Sequence, residues 1–345
     1  MPPALTAFAP RFLSLVKGKK VLCLTHAHPD LDTLASSHVL ASMLKKMGAA
    51  QATFGIPEKP LLKSKILLDS LALRPEVIST LAGFDVVVCV DFRSPAQAGN
   101  LEYALKQFNG KRVLVDHHSL SSREFSSPTP AEAFILPTQA ATAQMIALLA
   151  EEWDYSLSPS EAELLAIAII SDSARFALAN EETFRLMHVL QQRSKQSYDA
   201  LLLRAFPAND LAERLSIIQG MQSPSLFSAD SFLLALARAP YASALASNAL
   251  VQLGADIGVG LFRSREFVTA SLRVSNRAHA LLGFDSMEVL LPLAKANGGV
   301  CGGHACAAQI TFPGYVSENI IEDTLKRELL MRVRKTKKNA QLRVH

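Results

Sequence analysis

Cysteine is scarce in this chain and shows no pairing pattern. The 345 residues contain Cys23, Cys89, Cys301 and Cys306 and no CxxC spacing. That poverty argues against a disulfide-stapled scaffold and a thiolate-built zinc site. The four thiols read as reduced, small apolar residues of a cytoplasmic protein. Long apolar runs are missing as well. None reaches the ~18 residues that a membrane span needs, and the start, Met1-Pro2-Pro3, lacks a basic stretch followed by an uninterrupted apolar one. Neither membrane insertion nor export is expected. Charged residues make up only 19% against 49% hydrophobic, with a positive mean hydropathy, which argues against extended disorder. There is no internal repeat and no low-complexity segment.

What the chain does have is length enough for two cores. Its net charge of +4 is concentrated near the end, where Lys326, Arg327, Arg332, Arg334, Lys335, Lys337, Lys338 and Arg343 face one acid, Glu328. A polyanionic partner is one reading of that cluster, and a solvated basic tail is the preferred one.

Periodicity places the elements. A strand over Lys20 to Leu24 leads into a polar loop and a helix whose Leu34, Val39, Leu40, Met43, Leu44 and Met47 share a face, with Gly48 as its stop. Ala52 to Ile56 reads as a strand, and Leu61 to Leu81 carries helical patterning broken at Pro75. Val86 to Val90 and Lys111 to Val115 have the profile of strands covered on both faces. A helix is expected from about Thr138 to Trp153, and the capping box Ser158-Pro159-Ser160-Glu161 starts another that carries Asp172 to its far end. Strands alternating with helices imply a doubly wound, mainly parallel α/β sheet. From Ser231 the pattern restarts as a second, smaller α/β domain that ends in a glycine-rich segment and a final helix, with Ile321, Leu325, Leu329 and Met331 turned inward. The division expected is residues 1–206, a linker helix region over 207–229, and 230–345 with the basic tail.

Chemistry collects at the ends of the first-domain elements. His26, Asp30 and Asp32 follow the first strand; Asp91 follows Val90; Asp116, His117 and His118 follow Val115; Asp172 closes its helix. Open α/β sheets place their sites there. Four carboxylates and two imidazoles among His26, Asp30, Asp32, Asp91, His117 and Asp172 carry too much negative charge for one cation, and two divalent cations would balance them. Oxygen and nitrogen donors without thiolate suit Mn²⁺, Mg²⁺, Co²⁺ or Fe²⁺. Two such cations serve phosphoester hydrolysis by activating water and clamping phosphoryl oxygens. Taken singly, an Asp after a strand most often caps a helix, and a lone histidine packs or sits on the surface. His38 and His188, without carboxylate companions, are read that way.

The stretch His26-Ala27-His28-Pro29-Asp30-Leu31-Asp32, then Asp91, then Asp116-His117-His118, then Asp172 with Phe176, resembles the four motifs of the DHH phosphoesterase family. Asn297-Gly298-Gly299 and Gly302-Gly303-His304-Ala305-Cys306-Ala307-Ala308 resemble the glycine-rich signature of the DHHA1 domain. The nearest branch by length is that of the oligoribonucleases (nanoRNases) and 3′-phosphoadenosine 5′-phosphate phosphatases. The resemblance implies that His26 and Asp30 hold one metal, that Asp32, His117 and Asp172 hold the other, and that Asp91 bridges them. It also implies that Asp116 orients an imidazole, and that His118 touches the scissile phosphate or protonates the leaving oxygen. Mn²⁺ is the cation expected first. Arg273, in the strand Ser271-Leu272-Arg273, resembles the family's phosphate-gripping residue, with Gly302, Gly303 and His304 shaping a nucleotide pocket in a cleft between the domains. Two positions depart from the family's pattern, Ala35 where glycine is usual and Gln309 where the second signature ends in glycine.

The function expected is metal-dependent hydrolysis of short RNA, of linear dinucleotides such as pApA, or of 3′-phosphoadenosine 5′-phosphate. The partner is a short RNA or nucleotide substrate, and a homodimer is left open. The alternatives are an inorganic pyro- or polyphosphatase with the same metal core, a RecJ-like single-strand exonuclease, and a non-catalytic scaffold. Gly302-Gly303-His304 counts against the first, the lack of chain for a further nucleic-acid-binding domain against the second, and the complete ligand set against the third.

Overall fold

The computed structural model describes residues 3–118, 132–206, 210–336 and 341–344. Contacts divide the chain into two compact units, Met1–Pro207 and Ala208–His345.

In the first unit, helix α1 (Pro3–Val16) precedes β1 (Lys20–Leu24), α2 (Leu31–Lys46), β2 (Gln51–Ile56), α3 (Leu62–Ser70), β3 (Glu76–Val77) and β4 (Val86–Val90). A 3₁₀ helix (Pro95–Leu101) and α4 (Glu102–Lys106) lead to β5 (Lys111–Asp116) and β6 (Glu132–Ile135). Helices α5 (Thr142–Glu152), α6 (Pro159–Asp172), α7 (Glu181–Ser194) and α8 (Tyr198–Ala205) follow. The six strands form one parallel sheet in the order β3-β2-β1-β4-β5-β6. Alternation along the strands builds the two faces. Val21, Cys23, Val86, Val88 and Val90 point into the larger core with α1, α2, α5 and α6, whereas Leu22, Leu24, Val87 and Cys89 point into a smaller one with Leu101 and Leu105. The box at Ser158 forms as the sequence predicts: Ser158 N–H donates to Glu161 Oε2 at 2.7 Å, and Glu161 N–H donates to Ser158 Oγ at 3.3 Å.

The second unit contains α9 (Leu211–Gly220), β7 (Ser225–Ala229), β8 (Phe232–Arg238), α10 (Ser243–Gln252), β9 (Ile257–Arg263) and β10 (Phe267–Val274). It continues with α11 (Asn276–Leu282), α12 (Ser286–Ala296), β11 (Val300–His304), β12 (Ala307–Pro313), α13 (Asn319–Thr336) and β13 (Leu342–Val344). Its sheet runs β11-β12-β10-β9-β8-β7-β13, with β8–β9 parallel and the other pairs antiparallel. Within 207–229, expected as a linker helix region, Leu211–Gly220 forms the helix α9 and Ser225–Ala229 the sheet strand β7. No helix among the described residues is long and apolar enough to cross a membrane.

Three expectations change. The helix expected from Thr138 begins at Thr142, and the segment Leu61 to Leu81 is helical only to Ser70 before a short strand. In α13, Ile321, Leu325, Leu329 and Val333 are buried at a spacing of four, while Met331 is 43% exposed. Met331 is two residues from both Leu329 and Val333, which turns it off their face.

Much of the basic C-terminal segment is engaged. Lys326 bonds Glu322 and lies over the Phe227 ring, Arg332 bonds Glu288 and Glu328, and Arg343 sits in β13. Lys337 and Lys338 lie outside the described residues.

Candidate metal centre

Strand order reverses at β1, whose neighbours are β2 on one side and β4 on the other. In an open parallel sheet such a reversal opens a crevice at the carboxyl ends of the strands. The candidate ligands stand there. His26 and Asp30 lie on the β1–α2 connection, Asp32 is in the first turn of α2, and Asp91 follows β4. Asp116 ends β5 with His117 and His118 next, and Asp172 is the last residue of α6.

Two sets of donors come together among the described residues: His26, Asp30 and Asp91; and Asp32, His117 and Asp172. In each set one donor atom per residue lies within 4.8 Å of the others. Asp91 also touches the second set, with Oδ1 3.7 Å from His117 Nε2. A third grouping joins Asp91, His117 and His118, but His118 Nδ1 is held at 2.7 Å by Asp116 Oδ1.

Each side chain has a local reason for its pose. Asp30 is the N-cap of α2 and accepts the Thr33 N–H through Oδ1 at 3.0 Å, so the bland reading of this residue is correct for one of its oxygens. Asp32 accepts backbone N–H groups from Thr142 at 2.7 Å and Ala143 at 2.8 Å, supplying the cap that α5 lacks at Ala141. Ser36 adds a hydroxyl donor to the same carboxylate, while the departing residue Ala35 packs its methyl in the core. Asp91 adopts φ +63°, a left-handed conformation that aspartate tolerates better than branched residues, and accepts the Thr142 hydroxyl at 2.9 Å. His117 donates Nδ1–H to the Gln139 carbonyl at 3.2 Å, which fixes the tautomer and turns Nε2 toward Asp172, 3.1 Å away. That is the arrangement of a metal-ligating imidazole.

Crowded acids show in the proton affinities. Burial and then Asp172 push the Asp32 carboxyl up to about 7 from an ordinary 3.8. Burial and the neighbouring Asp32, Asp30 and Asp116 hold Asp91 well above the carboxylate range. Burial would lower His117, but its hydrogen bond to Asp172 and the charges of Asp32 and Asp172 outweigh that and raise it to about 9. Burial lowers His26. Asp116 stays below the ordinary range because its bonds from His118 outweigh burial, and its Oδ2 is buried without a hydrogen-bond partner among the described residues. Divalent cations would relieve this repulsion, and the oxygen and imidazole donors fit them.

A pH dependence follows. Raised carboxyls hold protons that the unfolded chain releases, so without metal the stability falls as pH rises from about 4 to about 7, and His117 extends the fall from about 6.5 to about 9. In chelator, Tm should therefore drop between about pH 5 and 9, and Mn²⁺ should remove most of the slope. A Tm that climbs with pH in chelator would contradict this electrostatic picture.

Other expected positions are placed as follows. His28 is exposed, His188 pairs with Gln192, and His38 lies edge-on to Phe54, its proton affinity lowered by burial. Phe176, at φ +70°, stacks on Tyr198. Arg273, half-buried in β10, donates to the Leu272 carbonyl, and burial lowers its proton affinity. Gly302, Gly303 and His304 lie on the edge strand β11, in a hairpin with β12. Gly303, at φ +139°, lets β12 approach so closely that a Cβ would lie 2.3 Å from the Ala307 carbonyl oxygen, while Gly302 faces open space. The side chain of His304 lies outside the described residues. Gln309, the other departure, accepts from Ser271 Oγ at 3.1 Å. Sequence reading missed Thr142 and Gln139, which hold Asp91, Asp32 and His117 from 22 to 110 residues away. Nothing in local spacing marks them.

Fold and site together define a parallel α/β domain with two sets of donors that could hold cations at its switch point. Residues 20–169 match the DHH family, N-terminal domain. A probable manganese-dependent inorganic pyrophosphatase of Oceanobacillus iheyensis is 28% identical over 193 residues, 54% of this chain and 60% of that protein. The match thus spans less than two thirds of the relative's length. An exopolyphosphatase-related protein from Bacteroides fragilis has a similar fold, with a TM-score of 0.73 at 15% identity, covering 95% of this chain and 98% of that one. RecJ of Thermus thermophilus in complex with Mn²⁺ is similar at a TM-score of 0.50 and 14% identity, over 97% of this chain and 55% of its own.

Proposed function

We propose that this protein is a metal-dependent phosphohydrolase that uses two divalent cations, Mn²⁺ first among them. Its substrates are short oligonucleotides, linear dinucleotides such as pApA, or 3′-phosphoadenosine 5′-phosphate. The observation that carries the reading is the pair of donor sets sharing Asp91. Two cations bound there would activate water and neutralise phosphoryl oxygens. The protein's own part is to fix the donors: Gln139 sets the His117 tautomer, Thr142 holds Asp91, and the N-terminus of α5 holds Asp32. Asp116 binds Nδ1 of His118 and leaves Nε2 to donate a proton to the leaving oxygen.

The second unit, read as DHHA1-like, would recognise the substrate through Arg273, whose planar fork suits a terminal phosphate. Arg273→Ala should weaken binding of short nucleotides bearing a terminal phosphate by about 1.5 to 3 kcal/mol, with much less effect on a nitrophenyl phosphate ester. Equal losses on both would make Arg273 structural.

Inorganic pyrophosphate hydrolysis is a second reading, favoured by the pyrophosphatase relative. Purified protein with Mn²⁺ should be offered pApA, 2- to 10-nucleotide RNA and DNA, 3′-phosphoadenosine 5′-phosphate and pyrophosphate. Turnover of pyrophosphate alone would replace the first reading with the second, and turnover of none would end both.

A further inference from the structure

Beside the metal centre, on the side of His118, lies a cavity of about 300 Å³ lined by Arg93, Ser94, Gln97, Asp116 and His118. We propose that Arg93, with Ser94 and Gln97, forms an anion subsite that takes a phosphate carried by the leaving group. This inference rests on the phosphohydrolase reading and says which side of the scissile bond the enzyme inspects.

His118 lines this cavity. Its Nδ1 is committed to Asp116, so the opposite ring nitrogen is the one that can deliver a proton to a departing oxygen. A wall shared by His118 and Arg93 therefore borders the departing group. The lining is one guanidinium, one hydroxyl, one amide, the His118 imidazole and the Asp116 carboxylate, whose Oδ1 is taken up by His118, and it holds no phenylalanine, tyrosine or tryptophan on which a base could stack. Arginine's fork matches phosphate oxygens in pairs, and a cation near the departing oxygen favours negative charge there.

The wall is also rigid. The Gln97 side-chain oxygen accepts the backbone N–H groups of Arg93 at 3.3 Å and Ser94 at 3.1 Å, and the Gln97 carbonyl accepts the Ala27 N–H at 2.8 Å. Gly99, at φ +55°, sits where a Cβ would come within 2.9 Å of the Ala27 methyl. The Arg93 loop is thus tied directly to the loop that bears His26 and Asp30. A leaving-group phosphate could be bonded straight to the departing oxygen, as in pyrophosphate, or carried across a ribose, as in the 5′-phosphate of pApA.

The test compares Arg93→Ala and Gln97→Glu with the parent protein on pyrophosphate, pApA and ApA in Mn²⁺. Gln97→Glu keeps the oxygen that holds the Arg93 and Ser94 backbone, yet puts a negative charge in the cavity. Both variants should lose about 10- to 100-fold in kcat/KM on pyrophosphate or on pApA, the size of one charge-assisted contact, and far less on ApA. Selective loss on pyrophosphate identifies an anion bonded to the departing oxygen, and selective loss on pApA over ApA identifies the nucleotide's 5′-phosphate. Equal loss on all three substrates, or on none, overturns the proposal. Calorimetric titration with inorganic phosphate gives a readout independent of turnover. Should the parent hydrolyse none of the substrates, the functional reading fails, while unchanged phosphate affinity in both variants would still refute the subsite by itself.

Discussion

Asp91→Ala is expected to abolish hydrolysis of every substrate. Asp91 belongs to one donor set and touches the other, so its loss removes a carboxylate common to both. Metal content should fall with activity. The variant also loses the Thr142 hydroxyl contact and puts alanine at φ +63°, which costs on the order of 1 kcal/mol or more. Asp91→Asn separates these effects, because asparagine accepts the same hydroxyl and tolerates the left-handed backbone while carrying no charge. It should fold with near-parental Tm in chelator or exceed it, since buried repulsion is relieved, and still be inactive. Near-normal turnover of either variant with two bound Mn²⁺ ions, counted by elemental analysis, would sink the assignment of Asp91 as the bridge.

His118→Ala should behave differently. Its Nδ1 is bound to Asp116 and its side chain is 52% exposed at the cavity, the setting of a group that meets substrate rather than holds metal. The rate should fall by about 10²- to 10⁴-fold, the range for loss of a general acid, while metal content is retained. Asp116→Asn should follow with a smaller loss of about 10- to 100-fold, because the imidazole then lacks the carboxylate that orients it. If His118→Ala sheds metal as well as activity, His118 is a ligand and the histidine roles must be exchanged.

These residues were legible in the chain, and the reason is local. Val86 to Val90 announces a strand buried on both faces, and an aspartate after it reads as a strand-end carboxylate whatever lies elsewhere. Ser158 and Glu161 are three residues apart and cap a helix by themselves, which carries Asp172 to the far end. The order His26, Asp30, Asp32, Asp91, His117, Asp172 needed only that each such end be recognised.

What held those donors in place was not legible. Thr142 reaches Asp32 across 110 positions and Asp91 across 51, and no periodicity encodes such a meeting. Starting α5 at Thr142 rather than Thr138 decides it, since a helix begun earlier would spend the Thr142 and Ala143 N–H groups on its own first turn. The strands β7 and β13 escaped notice for a similar reason. Short, half-exposed segments are strands only because a partner edge pairs with them, and the glycines at 302 and 303 make an edge strand only because β12 lies alongside. Sequence by itself determined which residues could carry the chemistry and which strand or helix end would hold each one. Tertiary structure alone decided how they are grouped and capped, because hydrogen bonds between distant segments depend on where the sheet brings their ends together.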